Sequence, residues 1–484
     1  MVFPRSLPLL AAALPMALLL SACAGTGKVA PPQARKLDPL QLNAGAAIQA
    51  AAAEGEAAQA AWPKEAWWRA LNDPQLDRLL ARALEGNPGL KASQARVRQA
   101  QALAGAAEAS TLPRVDGSAV IDRERYSAHS TVPSPLAGNY ATKNTVNLTA
   151  SYDLDLWGRN RDALAAALHD AQMAAAEAQM VKLALETAIV HSYIQLANAW
   201  AMQDAVAASL QQRQQILELT RRRRDAGLAS DIDVATIETT LPAGRREREQ
   251  AAESAALLRN QLAALIGQGP GDGDAIARPM PVLTSAAVLP SALPAELVAR
   301  RPDLAAQRWR VEAAARRIGV ARADFYPNIN LVAFAGFQAL GFSRLLDAHS
   351  ATRGVAPAVG LPIFEGGRLR GQLGSQNALY DMAVEQYNAT LVQALAEVAN
   401  AVTQARSVDQ QQQLAEKALA SASKAHALAD RAFRAGMTDA VSVLQARLTL
   451  LEEQRQMVQV QARRLDSYAA LMAALGGGVK QDFP

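Results

Sequence analysis

Residues 146–156 alternate strictly between apolar and polar positions. Val146, Leu148, Ala150, Tyr152, Leu154 and Leu156 fall on one side; Asn147, Thr149, Ser151, Asp153 and Asp155 fall on the other. A period of two predicts a strand of about eleven residues with one apolar and one polar face. The segment PRVDGSAVIDRERY (113–126) alternates less cleanly before it. A second pair of strands follows later in the chain. Ile329, Leu331, Ala333, Ala335 and Phe337 form one face, and Val355, Pro357, Val359, Leu361 and Ile363 form another. Strand periodicity fits either two soluble hairpins or a membrane wall. Length favours the membrane, which roughly 9–11 tilted residues cross.

After each strand pair, at LWGR (156–159) and EGGR (365–368), glycine breaks the alternation and a helical pattern begins. From 159 to about 224, and from 368 to about 434, there is almost no Pro or Gly beyond Gly371 and Gly374. Such a helix measures on the order of 100 Å at 1.5 Å per residue. Each turns at Gly227 or Gly436 and returns for about 36 residues to Gly267 or Gly476, the expected chemistry of a helical hairpin. The last returning helix carries a seam of Val441, Leu444, Leu448, Leu451, Val458, Ala462 and Leu465, interrupted only by Arg455. Its outgoing partner shows Leu391, Leu395, Val398, Val402 and Ala405. Alternating three and four spacing predicts coiled-coil packing. In the first hairpin, Pro242 and Gly244 stand where the second has Leu451 and Glu453, which predicts a kink.

The chain says this twice. Offset by 214, residues 87–115 lie on 301–329: Pro88 on Pro302, Leu90 on Leu304, Arg96 and Val97 on Arg310 and Val311, Gly105 on Gly319, Pro113 on Pro327. Further along the offset becomes 209, matching Gly158 and Arg159 to Gly367 and Arg368, Gly227 to Gly436 and Gly267 to Gly476. The first copy therefore has the longer loop between its strands. Two copies of one structural unit is the reading. The join GQGPGDGDAIARPMP (267–281) reads as a linker. The divisions are a signal peptide at 1–22, an N-terminal linker at 23–61, a first repeat at 62–266 (helix, two strands, long helical hairpin), an inter-repeat linker at 267–295, a second repeat at 296–476 and a tail at 477–484.

The N-terminus changes the picture. Arg5 precedes fourteen apolar or proline residues, Leu7 to Leu20, too short to span a bilayer and interrupted by Pro8 and Pro15. Small residues Ser21 and Ala22 then lead to Cys23, the only cysteine of 484 residues. LSAC resembles the lipobox of bacterial lipoproteins, in which the thiol is acylated and cysteine becomes the first residue of the mature chain. An ordinary export signal followed by a free thiol is the alternative. Ala24 is not the aspartate that disfavours sorting to the outer membrane in that family. No intramolecular disulfide is possible, so stability comes from packing and assembly. A net charge of +4 is too small to point to nucleic acid, despite a pI of 9.2. No later run is apolar enough for a membrane helix, so any crossing is by strands. Four strands cannot close a barrel, whose smallest bacterial form uses eight. Several chains must share one, and three would give twelve strands around a usable pore.

The motifs LSAC, WWRALNDPQLDRLLARAL (67–84), the doubled NPGL…LP and RPDL…YP blocks, YDLDLWGR (152–159), LPIFEGGR (361–368), RDAGLASDIDV (224–234) and RAGMTDAVSVLQA (434–446) occur in order. Together they resemble the TolC-like outer membrane factors, specifically the acylated OprM/NodT group, from Cys23 almost to the C-terminus. The resemblance implies a mixed α/β membrane protein. Its trimeric twelve-stranded outer-membrane β-barrel, four strands per chain, continues into a long α-helical coiled-coil periplasmic tunnel. It implies an exit duct for a tripartite efflux pump, with a periplasmic adaptor and an inner-membrane efflux transporter as partners. It also implies covalent N-acyl and S-diacylglycerol lipid on Cys23, palmitate included, in the outer membrane of a Gram-negative bacterium. A non-conducting coiled-coil lipoprotein scaffold and a protein-secretion duct of the same fold are the alternatives. The substrate is not readable; drugs, dyes and aromatic acids all remain open.

The resemblance places the periplasmic aperture near the second hairpin tip. Members commonly carry aspartates where this chain has Ser442 and Gln445, so the acidic ring is missing here. Val441 could supply an apolar constriction, or belong to the helical seam. Asp439 is the nearest acid, and as an early helical residue it could simply serve the helix N-terminus. Gly227, Leu228, Gly436 and Met437 are the tip residues that would meet an adaptor, with glycine required first by the turn. Arg221–224 reads as a solvated basic face or an adaptor contact. Catalytic chemistry is not expected. GTGKV (25–29) fails as a phosphate loop, since Ala22 stands where its first glycine belongs and Val29 replaces Ser or Thr. Five histidines, at 129, 169, 191, 349 and 426, show no metal spacing.

Overall fold

The computed structural model describes residues 29–42, 62–283 and 300–478. The signal peptide and Cys23, most of the N-terminal linker, part of the inter-repeat linker and most of the tail lie outside the described residues. The chain divides into two compact units. One comprises the described residues up to Lys36 with Arg98–Met173 and Arg308–Gln386; the other comprises Leu37–Val97, Ala174–Gln307 and Tyr387–Pro484.

The described elements run in chain order as helices α1 (Pro74–Gly86) and α2 (Pro88–Ala109), strands β1 (Arg114–Arg125) and β2 (Tyr140–Asp153), then helices α3 (Arg159–Asp225) and α4 (Asp231–Leu265). The second series is helix α5 (Pro302–Ala323), strands β3 (Asn328–Leu340) and β4 (Ala351–Gly360), then helices α6 (Arg368–Arg434) and α7 (Ala440–Ala474). Helices α2 and α5 each have 22 residues, α3 and α6 each 67, α4 and α7 each 35.

The first unit holds the sheet. Its four strands are antiparallel in the order β1-β2-β3-β4, leaving β1 and β4 as edges. Register sets its two faces, because directly opposed residues share a side. Val115 and Ala119 oppose Ala150 and Val146; Val146, Leu148, Ala150 and Tyr152 oppose Phe337, Ala335, Ala333 and Leu331. Val355 and Pro357 continue the row on β4. One largely apolar face therefore crosses all four strands, interrupted on β4 by Arg353 opposite Ala335. Asp116, Ser118, Thr145, Asn147, Thr149 and Ser151 lie on the other. The apolar face is uncovered: Leu148 is 60 %, Val115 67 % and Val355 75 % exposed.

Two strand limits differ from the alternation. β2 begins at Tyr140 and stops at Asp153, short of Leu154 and Leu156. The reason is Asp155, whose carboxylate accepts the backbone N–H groups of Asn160 at 3.1 Å and Arg161 at 2.9 Å and so starts α3. These bonds hold its acid strength above that of an ordinary aspartate, against the opposing cost of burial. β4 stops at Gly360, opposite the first residue of β3, so Leu361 and Ile363 fall beyond the ladder. Beneath the sheet, Ile318, Ala321 and Phe325 of α5 pack with Leu369 and Leu373 of α6, and Val29 joins them.

The second unit is helical. Leu391, Leu395, Val398 and Val402 of the predicted seam are buried, as are Leu451 and Ala462. Fully burying each leucine is worth roughly 1.5–3 kcal/mol. Helix α4 runs unbroken through Pro242. Its Gly244 lets Leu210 of α3 approach so closely that a Cβ would stand 2.7 Å from Leu210 Cδ2. The described part of the join is fastened to the unit. Gln75 hydrogen-bonds both the N–H and the carbonyl of Ala277, Asp73 accepts the Met280 N–H, and the Val282 N–H donates to the Leu71 carbonyl. Tyr193, fully buried, donates to the same Asp73 at 2.6 Å.

Glu186 of α3 is the buried acid of this unit. Its side chain is 4 % exposed, with Lys182 Nζ 3.9 Å away and itself engaged by Glu65 at 3.0 Å. Burial pushes the carboxyl from an ordinary 4.5 up to about 7. Between those values the folded chain keeps a proton that the unfolded chain has released. Stability therefore falls as pH rises through that window and is level on either side. Glu186→Gln should remove the slope: thermal unfolding scans should show the variant matching the parent at pH 4 and exceeding it at pH 8.

Candidate functional site at the hairpin tips

Each tip is built by helix-end chemistry. At the end of α3 the Gly227 N–H bonds the Arg224 carbonyl at 2.9 Å and the Leu228 N–H bonds that of Arg223 at 2.7 Å. At the end of α6, Gly436 bonds Phe433 and Met437 bonds Ala432, both at 2.9 Å. This pair of bonds needs a left-handed residue, and Gly227 and Gly436 have φ of 74° and 73°. Helix α4 restarts with a capping box, in which Ser230 and Asp233 each bond the other's backbone N–H. The Ser230 N–H and hydroxyl hold the Asp233 carboxyl below the usual range.

Asp439 is the N-cap of α7 rather than a residue within its first turn. Its Oδ1 accepts the Ser442 N–H at 2.9 Å and the Ser442 hydroxyl at 2.8 Å. Its Oδ2 accepts from Arg223 Nη1 at 2.9 Å, tying the first hairpin tip to the second. The Ser442 bonds, with Arg223 beside them, hold the Asp439 carboxyl below the usual range. Ser442 is thus committed to the cap. The basic run is mostly paired too: Arg221 meets Glu238, and Arg224 meets Asp225 and Asp231. Arg222 has no ion pair among the described residues.

Val441 and Gln445 line an open cleft of about 560 Å³ between the two hairpins, with Ile237 and Thr240 of α4 and Val206 and Ile216 of α3. Val441 is half-buried and Gln445 exposed. Deeper in, Arg455 spans the cleft. It lies 2.9 Å from Glu452 on its own helix and 3.7 Å from Glu247 on α4. Leu228 and Met437 are 68 % and 77 % exposed, and Ile232 joins them at 76 %. Sequence reasoning missed Ile232 and the cross-hairpin partners of Arg223 and Arg455. The available signal was Arg455 itself, a charge in an otherwise apolar seam.

Among the described residues no group of His, Cys, Asp and Glu could hold a metal ion, and no helix is long and apolar enough to cross a membrane. The sequence profile of the outer membrane efflux protein family matches residues 79–268 and 293–477. The chain belongs to the outer membrane efflux protein family. It is similar to the fusaric acid resistance protein FusA of Burkholderia cepacia, 42 % identical over 370 residues that cover 76 % of this chain and 69 % of the relative. The multidrug resistance outer membrane protein MdtP of Escherichia coli K12 is 30 % identical over 472 residues, covering 95 % and 94 %. Among solved structures, the outer membrane protein VceC of Vibrio cholerae superposes with a TM-score of 0.79 at 37 % identity, covering 86 % of this chain and all of VceC. The outer-membrane channel OprN gives 0.80 at 26 % identity, covering 94 % and 98 %. This efflux protein is an outer-membrane channel, a conduit and not an enzyme.

Asp439 carries two separable duties, cap and ion pair. Asp439→Asn keeps a good cap and loses only an exposed pair, worth about 0–1 kcal/mol. Asp439→Ala loses both and should cost about 1 kcal/mol more. The parent contribution is present above the usual carboxylate range and is lost as pH falls through the lowered value. Unfolding measured at neutral and acid pH should therefore show the gap between parent and alanine variant shrinking in acid. The gap between the asparagine and alanine variants should persist, because an amide cap does not titrate.

Proposed function

We propose that three copies of this efflux protein share one twelve-stranded barrel and one helical tunnel, forming the exit duct of a tripartite pump. The observation that carries this is the four-stranded sheet with an uncovered, largely apolar face and two unpaired edges. In lipid each unpaired backbone group on β1 and β4 would cost several kcal/mol. Joining β4 of one copy to β1 of the next removes every edge, and three sheets of four strands make twelve. The strands, of 12, 14, 13 and 10 residues, are long enough to cross. Exposed Phe342 and Leu346 beyond one end of the sheet, and Trp157 and Phe364 beyond the other, suit the two interfaces. The paired helix lengths of 22, 67 and 35 residues support a duplicated unit.

The tips face the periplasm in this reading. Exposed Leu228, Ile232 and Met437 suit docking of a periplasmic adaptor, through which an inner-membrane transporter hands over small molecules. Val441 and Gln445 form the narrow entrance, apolar and neutral where relatives of this group carry acids. The Arg223–Asp439 pair latches the two hairpins beside it.

Cys23 carries the lipid. Residues 30–34 are laid along α6. Asn377 donates to the Ala30 carbonyl at 2.7 Å, and Asp381 accepts the Gln33 and Ala34 N–H groups, each at 2.9 Å. Val29 sits at the start of α6, beside Leu369 and Leu373. Six residues of chain reach roughly 20 Å, so Cys23 can meet lipid at the periplasmic end of the sheet.

Light scattering in detergent tests the assembly: a protein mass near three chains is expected, and a clean single chain would overturn the shared barrel. Conductance in planar bilayers tests the entrance. Val441→Ala, Gln445→Ala and Asp439→Asn should each raise it, and unchanged currents in all three would move the entrance elsewhere.

A further inference from the structure

Helix α5 is held on two sides within the first unit. One side packs on the helix that follows its strands, through Ile318 and Ala321 against Leu369 and Leu373 of α6. The other packs on α3 through charge. Arg317 pairs with Asp170, and Arg316 Nη1 lies 3.3 Å from Asp162 Oδ1. Gly319 faces Asp162 so closely that a Cβ there would stand 2.0 Å from its Oδ2. Helix α2, the counterpart at an offset of 214, is held on one side only. Ala104 is buried, and Asn160 of the following helix α3 donates to the Ser110 carbonyl. Its remaining surface is bare: Leu103 is 61 % exposed, and a Cβ on Gly105 would meet nothing within 4 Å.

The two offsets say what would cover that surface. Carried by 214 on one helix and 209 on the other, the contact of Gly319 with Asp162 becomes one of Gly105 with Gly371. The pair Arg317 and Asp170 becomes Leu103 and Leu379. Both α6 positions are open in the single chain: Leu379 is 42 % exposed, and Gly371 has nothing within 4 Å. Gly105 weakens the helix it sits in, and the single chain gives no packing reason for it. Opposite a second glycine it permits close helix approach, as Gly319 does within the chain.

We propose that α2 of one copy docks on the start of α6 of a second copy, along an apolar seam in which Leu103 meets Leu379 and Gly105 meets Gly371. The seam is the between-copy version of the charged seam that α5 and α3 form within each chain. It rests on the shared-barrel reading and adds the residues through which copies recognise one another.

The test is a disulfide across the seam in the full-length protein in outer membranes. The Cβ built on Gly319 lies 3.5 Å from that of Asp162, within the roughly 3.5–4.5 Å a disulfide requires. Gly105→Cys with Gly371→Cys should give oxidant-dependent, reducible multimers, while each single variant stays a single chain on denaturing gels. In parallel, Leu103→Arg should lower the yield of assembled protein, and adding Leu379→Asp should restore it by copying the Arg317–Asp170 pair. Native-mass assemblies that neither cross-link nor respond to the charge pair would overturn the seam and leave the shared barrel standing. Single chains by native mass in the parent protein would overturn both.

Discussion

The backbone of a strand in hydrocarbon has no water to bond, and the rest of this molecule follows from that. The described sheet satisfies its N–H and carbonyl groups along three internal ladders and leaves β1 and β4 with one open side each. A soluble protein manages such edges with charges, bulges or a covering helix. Here the strands also present an uncovered, largely apolar face that crosses all four of them. On the proposed reading another copy of the same sheet completes the ladders, and oligomerisation then becomes a condition of the fold in the membrane.

The helical part obeys the opposite solvent logic. Water surrounds it, so its helices can end and turn freely, and ordinary caps suffice. Asp439, Ser230 and the two tip glycines do this work without help from burial. What water does not supply is alignment between hairpins. Arg223 with Asp439 and Arg455 with Glu247 supply polar crossings at two levels. Exposed pairs of this kind stabilise weakly, which on the proposed reading of the tips as an entrance suits a junction that parts when cargo passes. A fully apolar seam at the same place would hold the hairpins together more strongly.

The helices were legible almost to the residue, because glycine and proline are nearly absent inside the long ones and present at their ends. Outgoing helices expected at 159–224 and 368–434 are found at Arg159–Asp225 and Arg368–Arg434. Strand ends were less legible, since the alternation continues through Asp155 while the carboxylate is bound to the next helix. Glycine and proline marked the join as a linker, but nothing local reveals that Gln75, some 200 residues earlier, clamps Ala277. The candidate site shows the same division. Asp439 was visible as a helix-start acid because capping is local, whereas its pairing with Arg223 spans 216 residues and is set by tertiary structure.

Duplication explains why two seams of one geometry would carry different chemistry. Contacts within a chain form at the high effective concentration that the connecting backbone provides. They can rely on pairs such as Arg317 with Asp170, which add little net energy but fix register. Copies meeting in a membrane have no such advantage, and removing Leu103 and Leu379 from water supplies attraction that charge would not. The difference also guards against error. A helix carrying Leu103 laid into the groove of Asp170 would leave that carboxylate without its arginine, and Arg317 laid against Leu379 would strand a guanidinium on an apolar surface. Each wrong pairing desolvates an unpaired charge. In the proposed arrangement two helices of equal length but different sequence would thus find different grooves, because each groove rejects the other's helix.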